Sequence, residues 1–71
     1  MNIDLLSIKE TEIFFYLADG MTIGEIAVKE NRSVKTIESH VCKIREKLKI
    51  PSLHKLIVGA IKWKHVEECR E

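Results

Sequence analysis

The stretch that decides the fold runs from Thr22 to Ile50 and reads TIGEIAVKENRSVKTIESHVCKIREKLKI. It contains two helix starts with a short break between them. Thr22 and Glu25 have the spacing of a capping box, in which each side chain satisfies a backbone N–H of the other residue. Ser33 is a second N-cap, and it predicts a helix that continues to about Leu48. Because so few residues separate the two helices, the pattern is typical of a helix-turn-helix.

Residues on both sides of this motif predict two more helices. Ser7 and Glu10 repeat the capping-box spacing, and Gly20 is a left-handed stop after the helix that they begin. Pro51 ends the central motif, and Ser52 can cap a last helix. The sequence therefore predicts an all-α fold of four helices in one domain over 1–71, with helices at about 8–19, 23–30, 34–48 and 53–66 and the helix-turn-helix at about 22–48.

Apolar residues recur at the helical period and predict which faces are buried. Tyr16 lies off the apolar stripe of the first helix, so we expect it at the surface. The last helix carries more apolar residues than one face of a small core can bury. The predicted inner positions are Ile13, Phe14, Leu17 and Ala18 in the first helix, Ile23, Ile26 and Ala27 in the second, and Val34, Ile37, Val41, Ile44 and Leu48 in the third.

Composition restricts the function classes. The 71 residues, 45% hydrophobic and 32% charged, are typical of one small folded domain. Neither a membrane span nor a secretory signal is evident, so a cytoplasmic location and no membrane partner are expected. Cys42 and Cys69 do not make a disulfide framework, and the histidines lack zinc-ligand spacing. No nucleophile stands with a base, so we expect no enzyme, metal, cofactor or small-molecule ligand.

Basic charge is concentrated on the predicted motif. The whole chain has a net charge of only +1. Residues 32–49 contain six lysines or arginines and two glutamates, a net of +4, which leaves −3 for the rest of the chain. Cations near phosphates supply most of the non-specific affinity for nucleic acid. Double-stranded DNA is therefore the expected partner.

The polar face of the third helix offers side chains for two kinds of DNA contact. Glu38, Ser39 and Cys42 share the outer face, and we expect them to touch base edges in the major groove. The helix N-terminus at Ser33 carries a partial positive charge that favours a phosphate. Further phosphate contacts are expected from Lys35, Thr36, Lys43 and Lys47.

Four short motifs, in order, resemble those of the LuxR/GerE-type DNA-binding domain of bacterial transcription regulators. The family opening L-T-x-R-E-x-E-V is similar to LSIKETEI at 6–13, and E-I-A matches 25–27. The pattern S-x-x-T-V-x-x-H is similar to SVKTIESH at 33–40, and I-x-x-K-L matches IREKL at 44–48. The resemblance covers roughly Leu6 to Trp63, nearly the whole chain.

The resemblance implies a four-helix domain that binds promoter DNA as a homodimer. It implies phosphate contacts from the Ser33, Thr36 and His40 positions and base contacts from the three positions named above. It also suggests an internal ion pair between Glu12 and Lys47. The dimer contact is expected on the last helix, at Leu53, Leu56, Ile57, Ala60, Ile61 and Trp63.

Several residues depart from the family pattern. Glu30 and Arg32 stand where Leu and Ile or Val are usual, so they cost packing, pair with each other over the turn, or leave Arg32 to reach a phosphate. Lys49 and Lys64 stand where glycine is common, so the stop after the third helix can be shaped differently and the last helix can run longer. Glu38 puts an acid on the reading face, where it either accepts a hydrogen bond from cytosine N4 or weakens binding by repelling phosphates.

The expectation is a sequence-specific, homodimeric transcription regulator. The alternative is a small protein-interaction module that binds and modulates a related regulator through the last helix. The two differ in whether that helix pairs with itself or with a larger partner.

Overall fold

Four helices follow a short 3-10 turn in the computed structural model, which describes residues 3–69, with side chains for residues 3–65. The turn is Ile3–Leu5, and the part of the chain that the structure describes contains no strand. The predicted all-α, four-helix fold is confirmed. None of the described helices is both long enough and apolar enough to span a membrane. The helices are α1 (Ile8–Ala18), α2 (Ile23–Glu30), α3 (Val34–Leu48) and α4 (Leu53–Cys69).

Local side chains fix where α1 and α2 begin. The Ser7 side chain accepts from the Glu10 N–H (3.2 Å), and the Glu10 carboxylate accepts from the Ser7 N–H (3.0 Å). Thr22 and Glu25 make the same reciprocal pair at 3.1 and 2.8 Å. Both predicted capping boxes are therefore present, and each satisfies backbone donors that a helix start leaves unpaired.

Left-handed residues end α2 and α3. Asn31 has φ 54° and Lys49 has φ 58°. At the end of α3 the Ile50 N–H donates to the Arg45 carbonyl (2.9 Å), which closes the last turn. Lys49 thus adopts the backbone conformation that glycine would supply, at a steric cost of about 1 kcal/mol. α4 continues past Lys64 to Cys69, three residues beyond the predicted end; the side chain of Cys69 lies outside the described ones.

The core is made by the inner faces of all four helices, and α1 packs against each of the other three. Two sequence predictions were wrong. Val34 is 48% exposed, because it lies at the first turn of α3, outside the buried seam. Tyr16 is half-buried against the core, whereas its neighbour Phe15 is 41% exposed. The side chains with no exposed surface include Ile13, Phe14, Leu17, Ile26, Ile44 and Leu56.

α4 is the helix whose prediction needs the largest correction. Leu56 and Ala60 were expected at a dimer contact, but both are fully buried in the core of one copy and have no surface to offer a partner. Trp63 is half-buried, with its ring edge-on to Phe14 at 5.6 Å and stacked on Phe15 at 5.6 Å. Leu53 and Ile57 are half-buried against the core, and Ile61 is 44% exposed.

Candidate nucleic-acid interface

The outer face of α3 is a continuous polar surface. A helix turns by about 100° per residue, so the buried seam at Ile37, Val41 and Ile44 places the opposite face around Ser39 and Glu46. Glu38, Ser39 and Cys42, which we expect to read bases, are all exposed. Exposed side chains on and beside this face are Lys35, Glu38, Ser39, Cys42, Lys43 and Glu46, with half-buried Thr36 and His40 along one flank.

The N-terminus of α3 is capped without a carboxylate. The Ser33 hydroxyl accepts from the Thr36 N–H (3.2 Å) and lies 2.9 Å from the Thr36 hydroxyl. The first turn of α3 contains no acidic residue, whereas Glu10 and Glu25 close the first turns of α1 and α2. The partial positive charge of the α3 terminus is therefore not offset by an acid of its own turn, which suits contact with a phosphate.

Lys47 is tied to α1. Its Nζ lies 2.7 Å from the Glu10 carboxylate, whose side chain is only 5% exposed, while the Lys47 side chain is 40% exposed. The expected Glu12–Lys47 pair is wrong, since Glu12 bonds Lys9 at 3.3 Å. Glu10, two residues earlier on α1, lies on the buried side of that helix. The Lys47–Glu10 bond therefore joins α3 to α1. It engages a positive charge that was expected to face DNA.

Opposing causes set the pKa of Glu10. Burial alone would raise it, but the hydrogen bond from Lys47, the Ser7 N–H and the positive charge of Lys47 together hold the pKa below its ordinary value of 4.5. Glu10 therefore stays ionised at neutral pH although it is buried. An ionised buried carboxylate requires these donors, which makes the Glu10 site a structural anchor for α3.

Arg45 is a second basic residue that supports the fold. It is half-buried, and its Nη1 donates to the Pro51 carbonyl (3.2 Å) across the turn after α3. Apart from Arg45 and Lys47, which bond inside the domain, residues 32–49 carry four exposed cations and two exposed carboxylates, a net of +2. These four cations are Arg32, Lys35, Lys43 and Lys49.

Glu30 resolves one of the departures from the family pattern. Its carboxylate accepts from Lys9 (2.7 Å) and from the Tyr16 hydroxyl (3.3 Å), so α2 is fastened to α1. The hydrogen bond from Lys9 is the main reason that the pKa of Glu30 is lowered. Lys29 lies over the Tyr16 ring, 5.6 Å from its centroid. Arg32 is exposed beside the N-terminus of α3, and its positive charge also helps to lower the pKa of Glu30.

Glu46 is a surface residue that the sequence argument did not select for the site. Its carboxylate lies 3.8 Å from the Cys42 thiol, one turn earlier on α3. It also lies two turns after Ser39, and helical periodicity places it on the same outer face. An open groove beside it is lined by Cys42, Arg45, Glu46, Lys49, Ile50 and Pro51.

Among the described residues, no group of three or more histidine, cysteine or acidic side chains could hold a metal ion.

The arrangement of α1 to α3 agrees with a match of the sequence to a family model. Residues 4–60 match GerE, described as bacterial regulatory proteins of the luxR family. The chain belongs to the LuxR family. At the level of this family, it is a DNA-binding helix-turn-helix regulator of transcription. The LuxR-family match covers α1, α2, α3 and the first half of α4. No curated protein and no solved structure matches the chain.

Proposed function

We propose that the chain is a sequence-specific transcription regulator that binds promoter DNA as a homodimer, with α3 in the major groove of each half-site. The observation that carries this proposal is the outer face of α3, which is exposed, polar and continuous with a helix N-terminus that has no acid in its first turn. Two symmetry-related reading helices would place the half-sites about 10 base pairs apart, centre to centre. Since bacterial DNA lies in the cytoplasm, that is the location proposed.

Phosphate contacts would hold the register of α3 without reading sequence. Arg32 and Ser33 lie at the N-terminus of α3, and Lys43 lies about 50° around the helix from the centre of the outer face. Lys47 remains a proposed contact because its ammonium group has three donors, one of which bonds Glu10, and its side chain is 40% exposed. The full proposed set is Arg32, Ser33, Lys35, Thr36, His40, Lys43 and Lys47.

Base reading would come from Glu38, Ser39 and Cys42. A carboxylate accepts hydrogen bonds only, so Glu38 would select the cytosine N4 amino group in the major groove. Ser39 both donates and accepts, so by itself it discriminates weakly between bases. The Glu38 position therefore supplies the strongest sequence preference of the three.

A pair of charge-removing variants tests this division of roles. Lys43→Ala should weaken binding to all duplexes alike and reduce the slope of log affinity against log salt by about 1. Glu38→Ala should change the preferred sequence at one base pair. Selection from a random duplex pool, followed by fluorescence anisotropy at several salt concentrations, measures both effects. Lys62→Ala is the matched control, because Lys62 is exposed on α4, away from α3. An unchanged preference in Glu38→Ala would show that the reading face is wrongly assigned.

The partly exposed side of α4 supports the interaction module as a second candidate. Ile61 is 44% exposed, and a related regulator could cover it as well as a second copy could. The two functions separate in one experiment. A regulator binds duplex DNA by itself at low salt. If the chain is an interaction module instead, its affinity for DNA should be no higher than that of the Lys43→Ala variant.

A further inference from the structure

The C-terminal half of α3 forms one wall of an open groove that none of the proposed phosphate contacts lines. The groove contains two cations and one carboxylate, a net charge of +1. It therefore offers positive charge to a ligand immediately beside the reading face. The lining residues are Cys42, Arg45 and Glu46 of α3 and Lys49, Ile50 and Pro51 of the turn that follows.

Both cations of the groove have hydrogen-bond donors without a partner among the described residues. The Nη1 atom of Arg45 donates to the Pro51 carbonyl (3.2 Å), but its Nε is buried and finds no acceptor in that part of the chain. A buried N–H without an acceptor costs free energy, so turning the guanidinium towards a ligand oxygen in the groove is favourable. Lys49 is exposed, and no described side chain bonds its ammonium group. An anionic oxygen ligand fits this pair of cations.

The charge on this flank of α3 changes sign along the helix. Glu38, Cys42 and Arg45 are spaced by 4 and 3 residues, which places them on one flank, and Lys49 follows at the C-cap. At 1.5 Å per residue, Lys49 lies roughly 16 Å further along the helix axis than Glu38. The major groove is only about 12 Å wide. If Glu38 contacts a base at the floor of the groove, Lys49 therefore reaches the wall, where the phosphates lie.

The phosphate contacts proposed above for the body of α3 lie on the other flank. Thr36, His40 and Lys43 are displaced by about 50–110° to one side of the centre of the outer face. Cys42 and Arg45 are displaced by about 50° and 110° to the other side. The two walls of the major groove are the backbones of the two strands. The two flanks of α3 therefore face different strands.

We propose that this groove is a second phosphate site, which receives a backbone phosphate of the DNA strand opposite to the one that Lys43 contacts. Lys49 and Arg45 supply its cations, and Glu46 limits the net charge to +1. The proposal rests on the DNA-binding function proposed above and extends the contacts of α3 to both strands. A phosphate of a duplex fits better than a free phosphate ion, because the groove is continuous with the reading face at Cys42.

Lys49→Gly separates a phosphate contact from a structural role. Because Lys49 has φ 58°, glycine fits this position without strain, so the variant should melt no lower than the unmodified chain. Its affinity for a short duplex should nevertheless fall, and the slope of log affinity against log salt should decrease in magnitude by about 0.9. Its loss of affinity should therefore be about threefold larger at about 50 mM than at about 200 mM salt. Fluorescence anisotropy measures both, with Lys62→Ala as the matched control. An unchanged slope would overturn the proposal.

Methylphosphonate scanning identifies the strand. One uncharged methylphosphonate is placed in turn at each position of the duplex selected from the random pool. The substitution at the phosphate that the groove contacts should weaken binding of the unmodified chain but should not weaken binding of Lys49→Gly further. Within one half-site, this phosphate should lie on the strand opposite to the phosphate that is coupled in the same way to Lys43→Ala. Coupling of both variants to the same strand, or coupling of Lys49→Gly to no position, would overturn the proposal.

Inorganic phosphate separates a DNA phosphate from a free anion. At constant ionic strength, the duplex should shift the NMR signals of Lys49 and Ile50, and inorganic phosphate at millimolar concentration should not. Equal shifts with inorganic phosphate would indicate an anion site unrelated to DNA and overturn the proposal. The two proposals can also fail separately. A chain that binds DNA with the same slope after Lys49→Gly leaves the regulator standing and removes the second phosphate site, whereas a chain that does not bind DNA at low salt removes both.

Discussion

The bond between Glu10 and Lys47 gives a test of how the reading helix is held. Glu10→Gln keeps the size of the side chain and an oxygen for the Ser7 N–H but removes the charge. Lys47→Met removes the cation and leaves a carboxylate that is 5% exposed and keeps only the Ser7 donor. We expect Lys47→Met to be the more destabilising change, because it leaves an uncompensated charge in the core.

The magnitude follows from what each variant leaves behind. A hydrogen bond to a charged group contributes about 1.5–3 kcal/mol to the free energy of unfolding. Because the Lys47 side chain is 40% exposed, solvent screens its charge. The loss in the free energy of unfolding caused by Glu10→Gln should therefore lie near the low end of this range, at about 1.5 kcal/mol. Lys47→Met should cost about 2–3 kcal/mol. In a domain of this size, 1 kcal/mol shifts Tm by about 4–8 °C, so both changes are readily measured.

The same bond predicts a dependence on pH. Since the pKa of Glu10 is lowered in the folded chain, its contribution to stability is present above the ordinary value of 4.5 and is lost as pH falls through the folded value. In Lys47→Met both influences of Lys47 are lost, so the pKa of Glu10 should be higher than in the unmodified chain. The loss of stability of that variant, relative to the unmodified chain, should therefore become smaller as the pH is lowered from 7 towards 5.

Urea denaturation followed by circular dichroism measures all four chains of the double-mutant cycle at both pH values. The expected coupling energy between Glu10→Gln and Lys47→Met is about 1–2 kcal/mol. A coupling below about 0.5 kcal/mol, within the range of independent sites, would refute the argument that Glu10 anchors α3. Glu12→Gln is the matched control, because Glu12 is exposed and bonds only Lys9 among these groups.

Three further changes test the local structure by thermal denaturation. Lys49→Gly should stabilise the chain by about 0.5–1 kcal/mol, because glycine adopts the left-handed end of α3 without strain; equal melting of Lys49→Gly and Lys49→Ala would contradict this. Thr22→Ala should cost about 1 kcal/mol by removing the cap of α2, and an unchanged Tm would show that the cap does not contribute. Tyr16→Phe should lower Tm, and the loss should be smaller in a Glu30→Gln background if the hydroxyl acts through that carboxylate.

The positions of the helices could be predicted because their signals are local. Each capping box places two residues three apart, and Gly20 and Pro51 interrupt the pattern at known offsets. The outer face of α3 could be predicted for the same reason, since periodicity alone separates Ser39 from Ile37. The start of α4 was correct as well, because Ser52 accepts from the Lys55 N–H at 3.1 Å.

Contacts between helices were beyond the reach of these signals. Lys47 and Glu10 are 37 residues apart, and the choice between Glu10 and Glu12 depends on how α1 rotates against α3. The pairing of Glu30 with Lys9 depends in the same way on α1 and α2. Periodicity shows that two residues share a face, but it does not show which neighbouring helix covers that face. Leu56 was therefore placed at a dimer contact although it is a core residue.

The measurement that tests the central claim most directly is an NMR titration of isotope-labelled protein with a short DNA duplex. It begins at low salt and is repeated at about 0.2 M salt, where contacts to phosphates weaken strongly. The account predicts shifts centred on residues 31–47 that fade as salt rises, with the largest changes at the N-terminus and outer face of α3. An absence of shifts at low salt, or shifts centred on α4, would contradict the claim that α3 is the DNA-reading helix.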